Sequence, residues 1–199
     1  MSPRTKEQYE DIRVNKKNLI IETALALFAE HGYHTTSISK IASQAGISKG
    51  LLYNYFESKE GLLIEILDGG VNKLVDFFDP NQDGQLTDTE FRFFIDMTFD
   101  TLKKNRDYWH LYFSLSLQPR VSHLIKEKYR NLADAMMKTL ENYYHKKGHE
   151  NPIMQALVFS AFMDGVSMNY IMDPEQFPLD EMKKYIINNY LNFNTYENQ

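Results

Sequence analysis

Three serines within 22 residues restrict the fold of this chain more than any other feature. Ser37, Ser48 and Ser58 each stand directly before a stretch with helical spacing of apolar residues, where a serine side chain caps a helix N-terminus. Gly46 separates the first two of these stretches. Short capped helices with a glycine between them are typical of a helix-turn-helix, so the sequence predicts that motif here. A longer helix precedes it, with one apolar face and an expected left-handed cap at Gly32: Ile20, Ala24, Leu27 and Phe28.

The residue types of this unit divide into a core and a polar surface. The predicted core contains two alanines that let helices cross closely: Ile38, Ile41, Ala42, Ala45, Ile47, Leu52 and Phe56. The remaining positions can all donate hydrogen bonds and none is acidic, which suits a DNA backbone. The predicted exposed positions are Thr36, Ser37, Ser48, Lys49, Tyr53, Asn54, Tyr55 and Lys59. Spacing alone leaves open a plain three-helix bundle with a polar surface.

Residues 35–63 resemble the DNA-binding domain of TetR-family transcriptional regulators. They read TTSISKIASQAGISKGLLYNYFESKEGLL, against the family pattern T-x-x-x-I-A-x-x-A-G-V-S-x-G-x-L-Y-x-Y-F-x-S-K-E-x-L. Ile47 stands where valine is usual, and residues 26–33 also match the family. The resemblance implies an all-α chain of about nine helices. An N-terminal helix-turn-helix domain (1–60) would precede a larger ligand-binding and dimerisation domain (61–199).

The resemblance also implies roles for individual residues. Tyr53 and Lys59 match positions that bond phosphate, and Tyr55 stands where the family carries Tyr or His. Leu52 and Phe56 match core positions. The predicted DNA-binding set is Thr36, Ser37, Ser48, Lys49, Gly50, Tyr53, Asn54, Tyr55 and Lys59.

The rest of the chain also shows helical spacing. We expect a long helix to about residue 78, and one or two aromatic-rich helices over 91–117. Three more are expected, over about 120–147, 153–172 and 179–195. Gly69-Gly70 interrupts the first of these helices. We expect a kink there, at a place where another helix packs closely, and a hinge is the alternative. By resemblance, the last two helices pair with a second subunit in a homodimer. A small-molecule effector would bind among Trp109, Tyr112, Phe113, Met136, Met137 and Phe162.

Residues 79–90, DPNQDGQLTDTE, fit the calcium loop of an EF-hand, D-x-[DN]-x-[DN]-G-x5-E. Gly84 allows the sharp turn, and Leu86 supplies the apolar residue expected at position eight. The candidate metal ligands are Asp79, Asn81, Asp83, Gln85 and Glu90. An ordinary polar turn between two helices is the alternative.

Composition excludes several classes of protein. The chain has no cysteine, which excludes a disulfide scaffold and a cysteine nucleophile. No apolar run reaches the length of a membrane span, and the N-terminus lacks a secretory signal, so we expect a cytoplasmic protein with no membrane partner. Residues 1–59 hold eight basic and six acidic residues, whereas 60–199 hold fourteen and twenty-one. A slightly basic head on an acidic body is compatible with DNA binding through the head.

These features together predict a one-component regulator that binds double-stranded DNA. We expect a repressor that binds a palindromic operator as a homodimer and is released by an effector in the C-terminal domain, with no required cofactor. A calcium-responsive regulator acting through residues 79–90 is the first alternative. An all-helical enzyme is the more remote one, because no catalytic motif is present.

Overall fold

The computed structural model describes residues 5–191, with the side chain of Arg120 left out. Over that range the chain forms nine α-helices. Their bounds are α1 Lys6–His31, α2 Ile38–Gln44, α3 Lys49–Tyr53, α4 Lys59–Phe78, α5 Asp88–Lys104, α6 Arg106–Ser116, α7 Pro119–Lys146, α8 Pro152–Met172 and α9 Leu179–Tyr190. The predicted all-α class is confirmed. The aromatic-rich region forms two helices, and the part of the last predicted helix beyond residue 191 lies outside the described residues.

Serine caps begin the second, third and fourth helices as predicted. The hydroxyls of Ser37, Ser48 and Ser58 each accept the backbone N–H three positions later, at 3.1, 3.1 and 2.9 Å. Gly46 has φ +63°, a conformation that favours glycine, in the turn between α2 and α3. Gly32 also has a positive φ, although its ψ of 149° is not that of the left-handed helical cap that we expected.

The N-terminal unit packs around the predicted apolar face. α1 contributes Ile20, Ala24, Leu27 and Phe28, which are its buried residues. The predicted core of α2, α3 and the turns beside them is also buried, apart from the half-buried Ile47. Small side chains at Ala42 and Ala45 let α2 approach its neighbours closely, as the sequence indicated.

α4 joins the N-terminal unit to the rest of the protein and runs unbroken through Gly69-Gly70. A Cβ atom added at Gly70 would lie 1.9 Å from Cζ of Tyr108 in α6, whereas one added at Gly69 would meet nothing within 4 Å. The Tyr108 hydroxyl donates a hydrogen bond to the carbonyl of Leu67 on α4, at 3.3 Å. The close packing predicted at this pair is therefore present at Gly70, with no interruption of the helix.

The two parts of the chain also meet at other places. α1 packs along α6, and Lys17 on α1 forms a 2.6 Å ion pair with Glu65 on α4. His34 Nε2 lies 2.9 Å from Oε1 of Gln118, so the turn after α1 contacts the start of α7. In the C-terminal part, α5 packs against α4, α6 and α9, and α8 lies along α7. Among the described residues, no helix is long and apolar enough to cross a membrane.

The two adjacent glycines of α4 should respond oppositely to alanine. We expect Gly70→Ala to lower the free energy of unfolding by about 1–3 kcal/mol, because the new methyl group collides with the packed Tyr108 ring. Gly69→Ala, in open space, should raise it by up to about 1 kcal/mol through helix propensity. Urea denaturation of both variants checks this, and equal changes in stability would contradict the assigned packing.

Candidate nucleic-acid interface and ligand cavity

Six of the nine predicted DNA-binding residues are exposed on or beside α2 and α3. The two helices pack against each other, so these side chains share one region of the surface. Lys49 Nζ lies 5.9 Å from the ring of Tyr53, one helical turn away. The exposed set contains donors and a cation and no acid: Ser37, Ser48, Lys49, Gly50, Tyr53 and Asn54. This composition fits contact with phosphate oxygens.

Thr36 corrects the predicted surface. Its side chain is only 1 % exposed, and its hydroxyl donates to the carbonyls of Leu27 at 3.2 Å and Gly32 at 2.9 Å. Thr36 therefore holds the turn between α1 and α2, and the prediction of an exposed donor was wrong. Tyr55 is half-buried and packs against the core. Spacing did not show this, because threonine and tyrosine suit a polar surface and a packed turn equally well.

Lys59 also has a different environment from the one expected. Its ammonium group donates to the carbonyls of Tyr33 at 2.9 Å, His34 at 3.3 Å and Thr36 at 3.0 Å. It also lies 4.5 Å from the centre of the Tyr33 ring. An ammonium group has three N–H donors, so all three are used inside the protein. Lys59 ties the start of α4 to the turn after α1, and its contact with phosphate stays a prediction.

A cavity of about 260 Å³, called here the inner cavity, lies between α4, α5, α6, α7 and α8. Five of the six predicted effector residues line it: Trp109, Tyr112, Phe113, Met136 and Met137. The sixth, Phe162, instead packs against Tyr190, with ring centres 5.8 Å apart. The sequence did not single out other lining residues, among them Thr98, Tyr108 and Asp164, because they come from separate helices.

The polar groups of the inner cavity are few. Asp164 is the only charged residue among those that line it in the described part of the chain. Partial burial raises the pKa of this carboxyl, although Asp164 as a residue is exposed to solvent. Burial, and then the nearby Asp164 charge, raise the pKa of the Tyr112 hydroxyl. Thr98 Oγ1 and Trp109 Nε1 are closed off from solvent and have no hydrogen-bond partner.

A second cavity of about 570 Å³, the outer cavity, adjoins the inner one. The two share four lining residues: Val71, Tyr112, Ala133 and Met136. Lys126, Arg130 and Asp134, all exposed on α7, also line the outer cavity. Its polar rim contrasts with the apolar interior of the inner cavity.

The predicted calcium loop connects α4 to α5. Gln82 and Gly84 have positive φ angles of 57° and 71°. The Asn81 amide donates to Asp83 at 3.3 Å and to Glu90 at 2.9 Å, and Glu90 also accepts the backbone N–H of Thr87 in a capping box. Across residues 5–191, the structure brings together no group of three or more acidic, histidine or cysteine side chains that could hold a metal ion. Asp79 and Gln85, the remaining predicted ligands, do not complete such a group either. Calcium binding stays a prediction.

Comparison with known proteins identifies the N-terminal unit. Residues 20–66 match the family described as bacterial regulatory proteins, tetR family. The chain belongs to the TetR family of transcriptional regulators. Its helix-turn-helix is thus a DNA-binding motif, and TetR-family regulators are not enzymes. Over 160 residues, or 78 % of the chain, it is 31 % identical to the uncharacterized regulator YuxN of Bacillus subtilis. The match spans about half of that relative, 54 % of its length.

Other relatives match over most of their length. The fatty acid metabolism regulator protein of B. subtilis is 23 % identical over 84 % of this chain and 90 % of its own. The fatty acid degradation regulator FadR of Bacillus halodurans has the same fold, with a TM-score of 0.70 and 22 % identity over 88 % of this chain and 94 % of its own. A complex of SmeT with triclosan also has a TM-score of 0.70, at 20 % identity over 88 % of this chain and 91 % of its own.

Two lysines of the DNA-binding unit should differ in their contribution to stability. We expect Lys59→Met to lower the free energy of unfolding by about 1–3 kcal/mol, because three carbonyls lose a charged donor. Lys49→Met removes an exposed cation that lies over the Tyr53 ring and should leave stability within about 0.5 kcal/mol. Urea denaturation measures both. A Lys59 variant as stable as the unmodified protein would contradict the anchoring role.

Proposed function

We propose that this regulator is a repressor that binds a palindromic operator as a homodimer and leaves it when an effector occupies the inner cavity. One observation carries this proposal: Tyr108 both lines the inner cavity and packs on Gly70 of α4. α4 starts at Lys59, whose ammonium group is bonded to the turn before α2. A ligand that moves Tyr108 therefore acts on the helix that holds the DNA-binding unit.

The physical basis of the switch is a coupling free energy between two sites. α6 carries Trp109, Tyr112 and Phe113 into the cavity wall and packs along α1 on its other side. A second connection runs from His34 to Gln118 at the start of α7. Either route lets one arrangement of the cavity favour one orientation of the DNA-binding unit. The SmeT–triclosan complex supports a small molecule as effector, since it has the same fold.

An apolar stripe on α8 supports the homodimer. These side chains recur at helical intervals and remain exposed in the single chain: Met154, Leu157, Val158, Met168 and Met172. Met172 is 73 % exposed, and Tyr185 on α9 adds a further exposed ring. Contiguous exposed apolar surface marks an interaction site, and the small Ala161 and Gly165 within the stripe allow close helix approach. A second copy of the chain, paired through α8 and α9, would cover it.

Operator binding tests the α2–α3 surface. We expect Lys49→Ala and Tyr53→Phe to weaken binding to all operator sequences alike, because phosphate contacts position the protein without specifying bases. Lys49→Ala should also reduce the salt dependence by about one unit of slope per lost phosphate contact. Lys138→Ala, which removes an exposed lysine from α7, is the control with the same change of charge.

Operator affinity and its salt dependence are measured by fluorescence anisotropy, after footprinting has located the site. Unchanged affinity in both α2–α3 variants would contradict the proposed surface. An equal loss in the Lys138→Ala variant would show that only net charge matters.

The proposed dimer predicts a different outcome for charges on α7 and α8. We expect Ala161→Glu to shift the protein from dimer to monomer or aggregate, because an unpaired carboxylate would be buried at the helix contact. Ala135→Glu places the same charge on the exposed face of α7 and should leave the dimer intact. Sedimentation equilibrium at micromolar concentration checks both, and a monomeric unmodified protein would refute the proposal.

A further inference from the structure

Asp164 lies on the face of α8 that lines the inner cavity. Four residues of α8 line the cavity at positions i, i+3, i+4 and i+7, which share one face of a helix: Ser160, Met163, Asp164 and Ser167. Of all the described residues that line this cavity, Asp164 alone carries a charge. Its carboxylate therefore determines the sign of the electrostatic potential in the cavity.

The Asp164 carboxylate has no partner in the described part of the chain. Its side chain forms no ion pair or hydrogen bond there, and partial burial raises its pKa with no nearby cation or donor to oppose that effect. Because the residue is also exposed, the carboxylate meets solvent as well as the cavity. A positively charged ligand could therefore pair with it without losing all of its own hydration.

Aromatic rings form another wall of the inner cavity. α6 contributes four of them: Tyr108, Trp109, Tyr112 and Phe113. The centre of the Tyr112 ring lies 5.8 Å from that of Trp109 and 5.5 Å from that of Phe113. Burial raises the pKa of the Tyr112 hydroxyl and the charge of Asp164 raises it further, so the carboxylate acts electrostatically on this ring cluster. Aromatic faces attract organic cations, which adds to the attraction of the carboxylate.

The outer cavity has a different set of charges. Lys126 and Arg130 line it together with Asp134, so two cations and one anion face that space. A ligand with an anionic group would find its partners there. The inner cavity offers an anion no cation among its described lining residues, and Asp164 would repel it.

We propose that the inner cavity binds an organic cation whose quaternary or tertiary ammonium group lies beside Asp164 and Tyr112 and whose apolar substituents lie among the aromatic rings. This inference rests on the proposed effector function of the cavity and names the chemical class of the effector. Such an ammonium group has at most one N–H donor, so charge and ring contacts can satisfy it in a mostly apolar wall. Its substituents gain free energy by leaving water.

Three probes of nearly the same shape differ in charge. Phenyltrimethylammonium is positive, tert-butylbenzene is neutral and 2-methyl-2-phenylpropanoate is negative. Isothermal titration calorimetry with the full-length protein measures their affinities, and the fluorescence of Trp109, the only tryptophan of the chain, gives a second signal of binding. We expect the positive probe to bind about three- to tenfold more tightly than the neutral one. The negative probe should bind more weakly than the positive one.

Isosteric and apolar substitutions test the source of this preference. Asp164→Asn keeps the shape of the side chain and removes its charge. It should weaken the binding of phenyltrimethylammonium about three- to tenfold and leave that of tert-butylbenzene nearly unchanged. Tyr112→Leu removes an aromatic face and should weaken the positive probe more than the neutral one. Asp134→Asn is the matched control, because it removes the same charge from the outer cavity and should change neither affinity.

Four results would overturn the proposal: no binding of phenyltrimethylammonium, tighter binding of the neutral or negative probe, an unchanged preference in Asp164→Asn, or an equal loss in Asp134→Asn. Operator affinity with and without saturating phenyltrimethylammonium keeps the ligand class apart from effector release, with sodium chloride at the same ionic strength as the control. Selective binding of the cation without operator release would support the ligand class and refute the effector-release function.

Discussion

The packing of Tyr108 on Gly70 fixes α4, the helix that joins the two parts of this protein, against α6. Only a residue without a side chain lets the aromatic ring of α6 approach the backbone of α4 so closely, since a Cβ atom there would overlap the ring. The same ring forms part of the wall of the inner cavity. α4 continues unbroken from this contact to the DNA-binding unit, so its position there depends on how α6 is packed.

Hydrogen bonds from two polar side chains, Lys59 and Thr36, hold the turn that leads into the DNA-binding helices. Lys59 bonds three carbonyls in and around the turn between α1 and α2, and Thr36 bonds two more. These bonds fix the direction in which α2 leaves that turn. The residues left free to meet DNA are therefore fewer than the polar residues of the motif, and they lie on α2, α3 and their immediate flanks.

The inner cavity, in contrast to the DNA-binding unit, contains few hydrogen-bonded polar groups. Its lining is mostly apolar, and two of the lining residues, Thr98 and Trp109, each have a buried polar atom without a hydrogen-bond partner. Asp164 is the one charged residue among the described ones that line this cavity.

The sequence by itself determined the elements of this structure and the family. Serine caps, glycine turns and apolar spacing act over three or four residues, so they predicted α1 to α4 and the core around Ile41 and Leu52 closely. The predicted exposure of Thr36 was wrong, and the carbonyl contacts of Lys59 were not predicted, because both depend on carbonyls in and around the turn after α1. Only the tertiary structure decided that Thr98 and Trp109 meet in one cavity, that Tyr108 lies on Gly70 and that His34 reaches Gln118. The members of each pair belong to separate helices or turns, and their distance in space depends on helix packing, which local periodicity does not encode.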